Sequence, residues 1–288
     1  MVMSWKNWMY SKMTSCNNKS YSYVETDDGS ISVYAHEYGQ TMHSISGGYE
    51  EALYKHVVPS GVTTLQKDEI NVLDVGFGLG YNILALLHCC ERDDRFSKIK
   101  VISLESENTV GKLVEGIRFN DEKDHVYDKV KAAARSGKYT DKKIHINILF
   151  GDARCTLKTV NNTRFDGVFH DPFSPASNPE LWSVEFFSLL KERMKPCAVL
   201  TTYSAALQVR MAMMEAGFNI GRGPSVGGKK EGTVASIHGS IKTLSLDETT
   251  GIRSTVRATP YREKSGLDTR DDLLNRRREE MRLMKNTV

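Results

Sequence analysis

The run "INVLDVGFGLGYNILALLHCC", Ile70 to Cys90, constrains the fold more than any other part of the chain. It places an apolar stretch of strand length, glycines at 76, 78 and 80, and an apolar stretch of helix length in direct succession. A strand without polar alternation is buried on both faces, as in a parallel sheet covered by helices. Glycines at its end permit a tight turn and a close approach of backbone to a ligand at the following helix N-terminus. The spacing is GxGxG rather than GxGxxG, with Tyr81 next, which argues against a dinucleotide pyrophosphate.

Strands and helices then alternate. "KIKVISLE" reads as a second strand, "NTVGKLVEGIRF" as a helix, "DHVYDKVKAAARSG" as a charged helical excursion and "KIHINILFGD" as a third strand. "RFDGVFHD" is a fourth strand, "PELWSVEFFSLLKERM" a helix, "CAVLTTY" a fifth strand, and "AALQVRMAMMEAGF" a helix that Gly217 ends. "FNIGRG" and "GTVASIHG" pair as antiparallel edge strands. The pattern predicts an α/β fold with a doubly wound, mostly parallel sheet and one reversed element. Ahead of it, "YSYVETDDGSISVYAHEY" gives an antiparallel β ribbon about the turn signal Asp28-Gly29. "SGGYEEALYKHV" follows as a helix that Pro59 and Gly61 end. The expected organisation is a loosely ordered segment 1–20, a ribbon and helix 21–60, a main domain 61–240 and a basic C-terminal extension 241–288.

With 288 residues and 40% hydrophobic content the chain can bury one sizeable core. Its longest strongly apolar stretch, "YNILALLHCC", is too short to cross a bilayer, and "MVMSWKNWMYSKMT" has no continuous apolar signal region. A cytoplasmic protein with no membrane partner is expected. Cys16, Cys89, Cys90, Cys155 and Cys197 have neither a CxxC pair nor metal-ligand spacing, so free thiols and no metal are expected. Formal net charge is +3, but from Gly251 onward ten Lys/Arg face six Asp/Glu. A nucleic-acid surface and a merely solvated tail both fit that excess.

Four acids mark successive strand ends. Asp74 precedes the glycine turn, Glu105 ends the second strand, Asp152 the third and Asp171 the fourth. Glu105 can accept hydrogen bonds from both hydroxyls of a ribose, with Glu107 a nearby competitor. Asp152 can meet an adenine amino group, cap the helix "ARCTLKTV", or do both. Acids bring negative charge where a phosphate would need donors. The implied cofactor is therefore adenosine-bearing and phosphate-free: S-adenosylmethionine or its decarboxylated form.

Asp171 opens "DPFSPASNPELW", where Pro172, Pro175 and Pro179 restrict the backbone and hold the loop in one shape. Phe173 and Trp182 either wall an acceptor pocket or pack beneath it. Transfer from a sulfonium needs an in-line nucleophile with a free lone pair. An alkyl amine is mostly protonated at neutral pH, so Asp171 is the catalytic candidate that orients it; Asp171 or water takes the proton.

The combination "LDVGFGLGYN", "SLE", "GDA", "DPFSPASNPELW" and "GGKKEGTVAS" resembles the methyltransferase domain of the tRNA 5-methylaminomethyl-2-thiouridine biosynthesis enzyme. The likeness runs from about Tyr21 to Ile237 and is to a stand-alone form without the fused flavin-dependent oxidase. It implies a seven-stranded class I methyltransferase sheet and S-adenosylmethionine-dependent methylation of the primary amine of 5-aminomethyluridine at the tRNA wobble position. A separate enzyme would supply the aminomethyl group. On this resemblance Asp74, Gly76, Gly78, Gly80 and Asn82 form the cofactor loop, Glu105 contacts the ribose, and Asp152 with Ala153 forms the adenine edge. Asp171 is the acceptor-side acid of "DxFxP", with Phe173 and Pro175 beside the substrate. "GQTMHSISGGYEEAL" resembles a segment that folds over the cofactor, placing Met42, His43 and Ser44 near its methionyl end. Lys229 and Lys230 stand where the family commonly has an arginine-containing loop, and keep the charge for phosphate contacts. The family's usual "GTGLN" reads "GLGYN" here, putting Tyr81 near the cofactor. Arg276, Arg277 and Arg278 form either a tRNA contact or a solvated helix face. Two other functions stay open: an aminopropyltransferase of the spermidine synthase type, and a non-catalytic RNA-binding scaffold.

Overall fold

The computed structural model describes residues 14–16, 19–26, 30–36, 40–41, 47–226, 231–239 and 241–286. Strands β1 (Thr14–Cys16), β2 (Lys19–Glu25), β3 (Ile31–Ala35) and β4 (Gln40–Thr41) form an antiparallel ribbon in that order. It starts ahead of the expected Tyr21, because Thr14 pairs with Tyr21. The Asp28-Gly29 turn lies outside the described residues.

Helix α1 begins at Gly48–Ala52, widens into a π-helical turn at Leu53–Val57 and closes with Val58–Ser60 before Gly61. Pro59 therefore does not end it. The widened turn accommodates a ring that would crowd the carbonyl four residues earlier and has no N–H to donate.

The main sheet comprises β5 (Glu69–Val75), β6 (Lys98–Glu105), β7 (Lys138–Thr140), β8 (Ile144–Phe150), β9 (Phe165–His170), β10 (Met194–Thr202), β11 (Asn219–Arg222) and β12 (Thr233–Ser236). Its order is β11-β12-β10-β9-β5-β6-β8-β7. Strands β10, β9, β5, β6 and β8 are parallel neighbours, and β12 is the reversed element between β10 and β11. The expected seven strands are extended by an eighth, β7, antiparallel at the β8 edge.

Strand β5 shows why this sheet is buried on both sides. Ile70 and Val72 join a core with helices α2 (Tyr81–Cys90) and α4 (Lys123–Ser136), separated in sequence by α3 (Val110–Val114). Leu73 and Val75 join the opposite core with α5 (Ala153–Thr159), α6 (Val184–Arg193) and α7 (Leu207–Glu215). Side-chain period two, with apolar residues on both faces of the strand, feeds both layers. The predicted helix "PELWSVEFFSLLKERM" is instead a 3₁₀ turn at Pro179–Trp182 and then α6. Ser183 is extended between them and caps α6 through Phe186 N.

The C-terminal extension packs on the second core through Ile252 of α8 (Leu246–Arg253), Ala258, Tyr261 and Leu273 of α9 (Arg270–Asn286). Among the described residues no helix is long and apolar enough to cross a membrane.

Candidate functional site

The C-terminal ends of β5, β6, β8 and β9 open onto a cavity of about 530 Å³, the size of small-molecule sites. Gly76, Gly78, Glu105, Asp152, Ala153, Asp171 and Phe173 all line it, so loops from four adjacent strands meet as the sequence implied. Glu51, Pro172, Glu180 and Tyr203 line it too.

The three glycines divide the work. At Gly78 an added Cβ meets nothing within 4 Å, so this position faces open space at the cavity. At Gly80 a Cβ would strike Val130 and Phe77, and Gly80 does not line the cavity; its role is to let α2 and α4 pack closely. Tyr81 also lies away from the cavity. Its hydroxyl donates to Ile31 O at 2.7 Å and accepts from Ile31 N at 3.1 Å, fastening the ribbon to α2.

Glu105 closes the glycine loop. Its Oε2 accepts from Gly78 N at 3.0 Å and its Oε1 from Glu107 N at 2.9 Å. Burial raises its pKa, while those amides favour the charged form. Asp152 caps α5 through Arg154 N at 2.9 Å, and the Arg154 side chain pairs with it at 2.6 Å. Burial opposes the Asp152 charge, but Arg154 outweighs it and holds the carboxyl below its usual range. Arg154 also pairs with Glu263 and donates to Asp268 O at 2.9 Å. The extension thus braces this end of the cavity.

Asp74 and Asn82 sit beneath the cavity rather than in its lining. Asp74 is 0% exposed; its Oδ2 accepts from Ser103 Oγ at 2.6 Å and its Oδ1 from Asn82 Nδ2 at 3.1 Å. Burial pushes its pKa up to about 7. The same Asn82 Nδ2 donates to Asp171 Oδ2 at 3.2 Å. Both residues act on the site through Asp171, whose side chain is 21% exposed.

The proline-rich loop is held at both ends. His170 Nε2 donates to Leu181 O at 2.8 Å and Trp182 Nε1 to Phe173 O at 2.9 Å. Tyr203 donates to Pro172 O at 3.0 Å, and Arg270 to Ala176 O at 3.1 Å. Trp182 is fully buried, so it packs beneath the pocket, and Pro175 is buried outside the lining. Met42, His43, Ser44, Lys229 and Lys230 lie outside the described residues.

Sequence reading missed His56, Glu51 and Tyr203. His56 is buried in the π-helical turn, with Nε2 3.6 Å from Asp171 Oδ1. A histidine and a glutamate in "YEEALYKH" carry no motif of their own; the polar residues buried beside an apolar helix face were the available signal.

Arg276 and Arg277 do not form an open patch. Arg276 donates to Arg262 O and pairs with Asp268 at 2.7 Å. Arg277 donates to Thr259 O at 2.7 Å and lies over the Tyr261 ring. Two of the three arginines therefore fasten α9 to the preceding chain.

A family model described as an S-adenosyl-L-methionine-dependent methyltransferase matches residues 118–238. The crystal structure of MnmC2 from Aquifex aeolicus superposes with a TM-score of 0.82 at 32% identity, over 91% of this chain and 85% of that chain. The uncharacterized protein MJ0670 of Methanocaldococcus jannaschii is 32% identical over 92% of this chain and 74% of its own length. The tRNA 5-methylaminomethyl-2-thiouridine biosynthesis bifunctional protein MnmC of Campylobacter hominis is 31% identical over 60% of this chain, which spans 26% of that relative. A probable spermidine synthase from Corynebacterium glutamicum shares the fold, with a TM-score of 0.51 at 13% identity.

Proposed function

This chain belongs to the S-adenosyl-L-methionine-dependent methyltransferase family of MnmC2, and we propose that it methylates the primary amine of 5-aminomethyluridine, with or without a 2-thio group, at the wobble position of tRNA. The observation that carries the reading is Asp171: a partly exposed carboxylate at the cavity wall, in a loop braced by Trp182, His170 and Tyr203. S-adenosylmethionine fits the donor set, with Glu105 for the ribose hydroxyls, Asp152 and Ala153 at the adenine edge, and Gly78 as the open wall. When bound, it supplies an electrophilic methyl group on a sulfonium.

The chain's own contribution is orientation and proton control. Asp171 accepts a hydrogen bond from the amine and favours the approach of its lone pair, while Asn82 fixes one carboxylate oxygen. Phe173 walls the same side. Lys229 and Lys230 supply phosphate contacts, which give affinity without identity; an extruded wobble base gives recognition. The reaction belongs in the cytoplasm and follows a separate enzyme that installs the aminomethyl group.

Glu51 and Glu180 line the cavity beside Asp171 and favour one alternative, aminopropyl transfer to a diamine, which needs further acids to grip a second ammonium. Against it, Glu51 is engaged by Lys55 at 3.3 Å. The deciding experiment follows labelled methyl from S-adenosylmethionine into tRNA carrying 5-aminomethyluridine, beside tRNA lacking it and beside putrescine with decarboxylated cofactor. A methylaminomethyluridine product that depends on Asp171 is expected. Transfer to putrescine alone, or undiminished methylation by Asp171→Asn, would overturn the assignment.

A further inference from the structure

His56 is 1% exposed, and among the described residues its Nε2 has no hydrogen-bond partner. Buried ring nitrogens are ordinarily satisfied, so this atom calls for a reason. It stands 3.6 Å from Asp171 Oδ1, just beyond hydrogen-bond reach. The other ring nitrogen, Nδ1, faces Thr201 Oγ1 at 3.2 Å, and the ring packs against Phe169 with centroids 6.1 Å apart. His56 lies in the π-helical turn of α1, and such turns recur where a helix must aim a side chain at a site. Asn82 already holds Asp171 Oδ2, so His56 faces the oxygen that Asn82 leaves.

We propose that His56 is a positioning residue for Asp171: its Nε2–H donates to Oδ1 when the acceptor amine closes the site. This rests on the reading of Asp171 as the acceptor-side acid. With both carboxylate oxygens held from the protein side, the remaining lone pairs are presented to the amine in one orientation. Catalytic hydrogen bonds of this kind are often long before substrate arrives and tighten in the complex. Thr201 Oγ1 has one proton and lies 3.4 Å from Val168 O. When that proton turns from Val168 O to Nδ1, 3.2 Å from Thr201 Oγ1, the ring can carry its own proton on Nε2, and the facing Asp171 carboxylate favours that tautomer.

Two measurements on the full chain test this. The first is ¹⁵N NMR of histidine-labelled protein without substrate. The Nε2–H form of His56 is expected in the wild type, changing toward Nδ1–H in Asp171→Ala. An Nδ1–H ring in the wild type, or a ring indifferent to Asp171→Ala, overturns the proposal. The second compares His56→Gln, which keeps an N–H near the Nε2 position, with His56→Leu, which does not. The leucine variant should lose on the order of ten-fold in kcat with unchanged S-adenosylmethionine affinity, and the glutamine variant should recover most of it. Equal losses in both, or none in the leucine variant, would count against it. If the wild type methylates no tRNA, the substrate reading fails, while the tautomer measurement still decides the pairing of His56 with Asp171.

Discussion

Gly76 lies so close to Asp171 that a Cβ built on it would stand 2.7 Å from the Asp171 carbonyl oxygen. Asp171 N donates to Val75 O at 2.9 Å, so the turn after β5 is the seat of the Asp171 loop as well as a wall of the cavity. A glycine at the cavity wall therefore also makes room for the backbone of Asp171, which lines the same cavity.

Gly76→Ala and Gly78→Ala should then fail differently. At Gly76, φ of +91° and the backbone overlap together cost about 1–3 kcal/mol or more and displace Asp171. Thermal unfolding and methyl transfer should both suffer. At Gly78 nothing obstructs a Cβ, so stability should fall by about 1–2 kcal/mol and the main loss should be S-adenosylmethionine affinity. Equal loss of stability in the two variants would show that Gly76 is not the seat of Asp171.

Glu105→Gln leaves one acceptor oxygen for the two amides that Glu105 now serves, Gly78 N and Glu107 N. Hydrogen bonds to a charged group contribute about 1.5–3 kcal/mol each, so S-adenosylmethionine affinity should drop by roughly ten- to a hundred-fold in calorimetric titration. Burial raises the Glu105 pKa, so affinity should begin to fall at a higher pH than for an ordinary carboxylate as the solution is acidified. Unchanged affinity would remove Glu105 from the ribose contact.

The sheet was legible because its central strands are rich in apolar residues, and β5, β6, β8 and β9 each end on or run directly into an acid or a glycine, at Gly76, Glu105, Gly151 and Asp171. The short pieces were not. Strand β7 has just three residues, Lys138 to Thr140, with neither β-branched density nor alternation to mark it. The break at Ser183 was hidden because Trp182 and Phe186 both read as helix-face residues, while Ser183 is extended in a bridge to Tyr261. The acids lining the cavity could be read from strand ends. Asp74 and Asn82 could not be assigned beneath it, since spacing does not tell a cavity wall from the support behind that wall. The extension looked like a charged tail because its anchoring arginines bond to backbone carbonyls, which leave no trace in side-chain pattern.

For Arg276 and Arg277, the expected effect of alanine substitution is on stability. Each loses hydrogen bonding to backbone carbonyls, and Arg276 also loses its ion pair with Asp268, which keeps its bonds from Lys264 N and Ser265, for about 1–3 kcal/mol apiece in denaturant unfolding. Arg278, which bonds to Asn275 one turn earlier, should change stability by less than about 0.5 kcal/mol. Weaker tRNA binding by folded Arg276→Ala at low salt, with unchanged stability, would restore the phosphate-contact reading.

The last prediction concerns Asp74, whose pKa burial pushes from 3.8 up to about 7. In the unfolded chain it ionises near pH 4, while in the folded protein it keeps its proton until about pH 7. Between these values the folded state binds more protons, so the contribution of Asp74 to stability falls as pH rises through the window and levels off above it. A shift of that size corresponds to roughly 4 kcal/mol at the plateau. Burial pushes His170 the other way, down to about 4, so its contribution is lost as pH falls from about 6.5 toward 4 and masks part of the Asp74 slope. Subtracting the curve of Asp74→Asn removes the histidine, because both proteins contain it. Asparagine can still accept from Asn82 and donate to Ser103, so the variant should fold. The difference between the two unfolding free energies should therefore shrink against the wild type from pH 4 to 7 and then stay constant. A flat difference would mean that Asp74 is ionised throughout, with two adjacent carboxylates, Asp74 and Asp171, both charged on the one Asn82 amide that joins them.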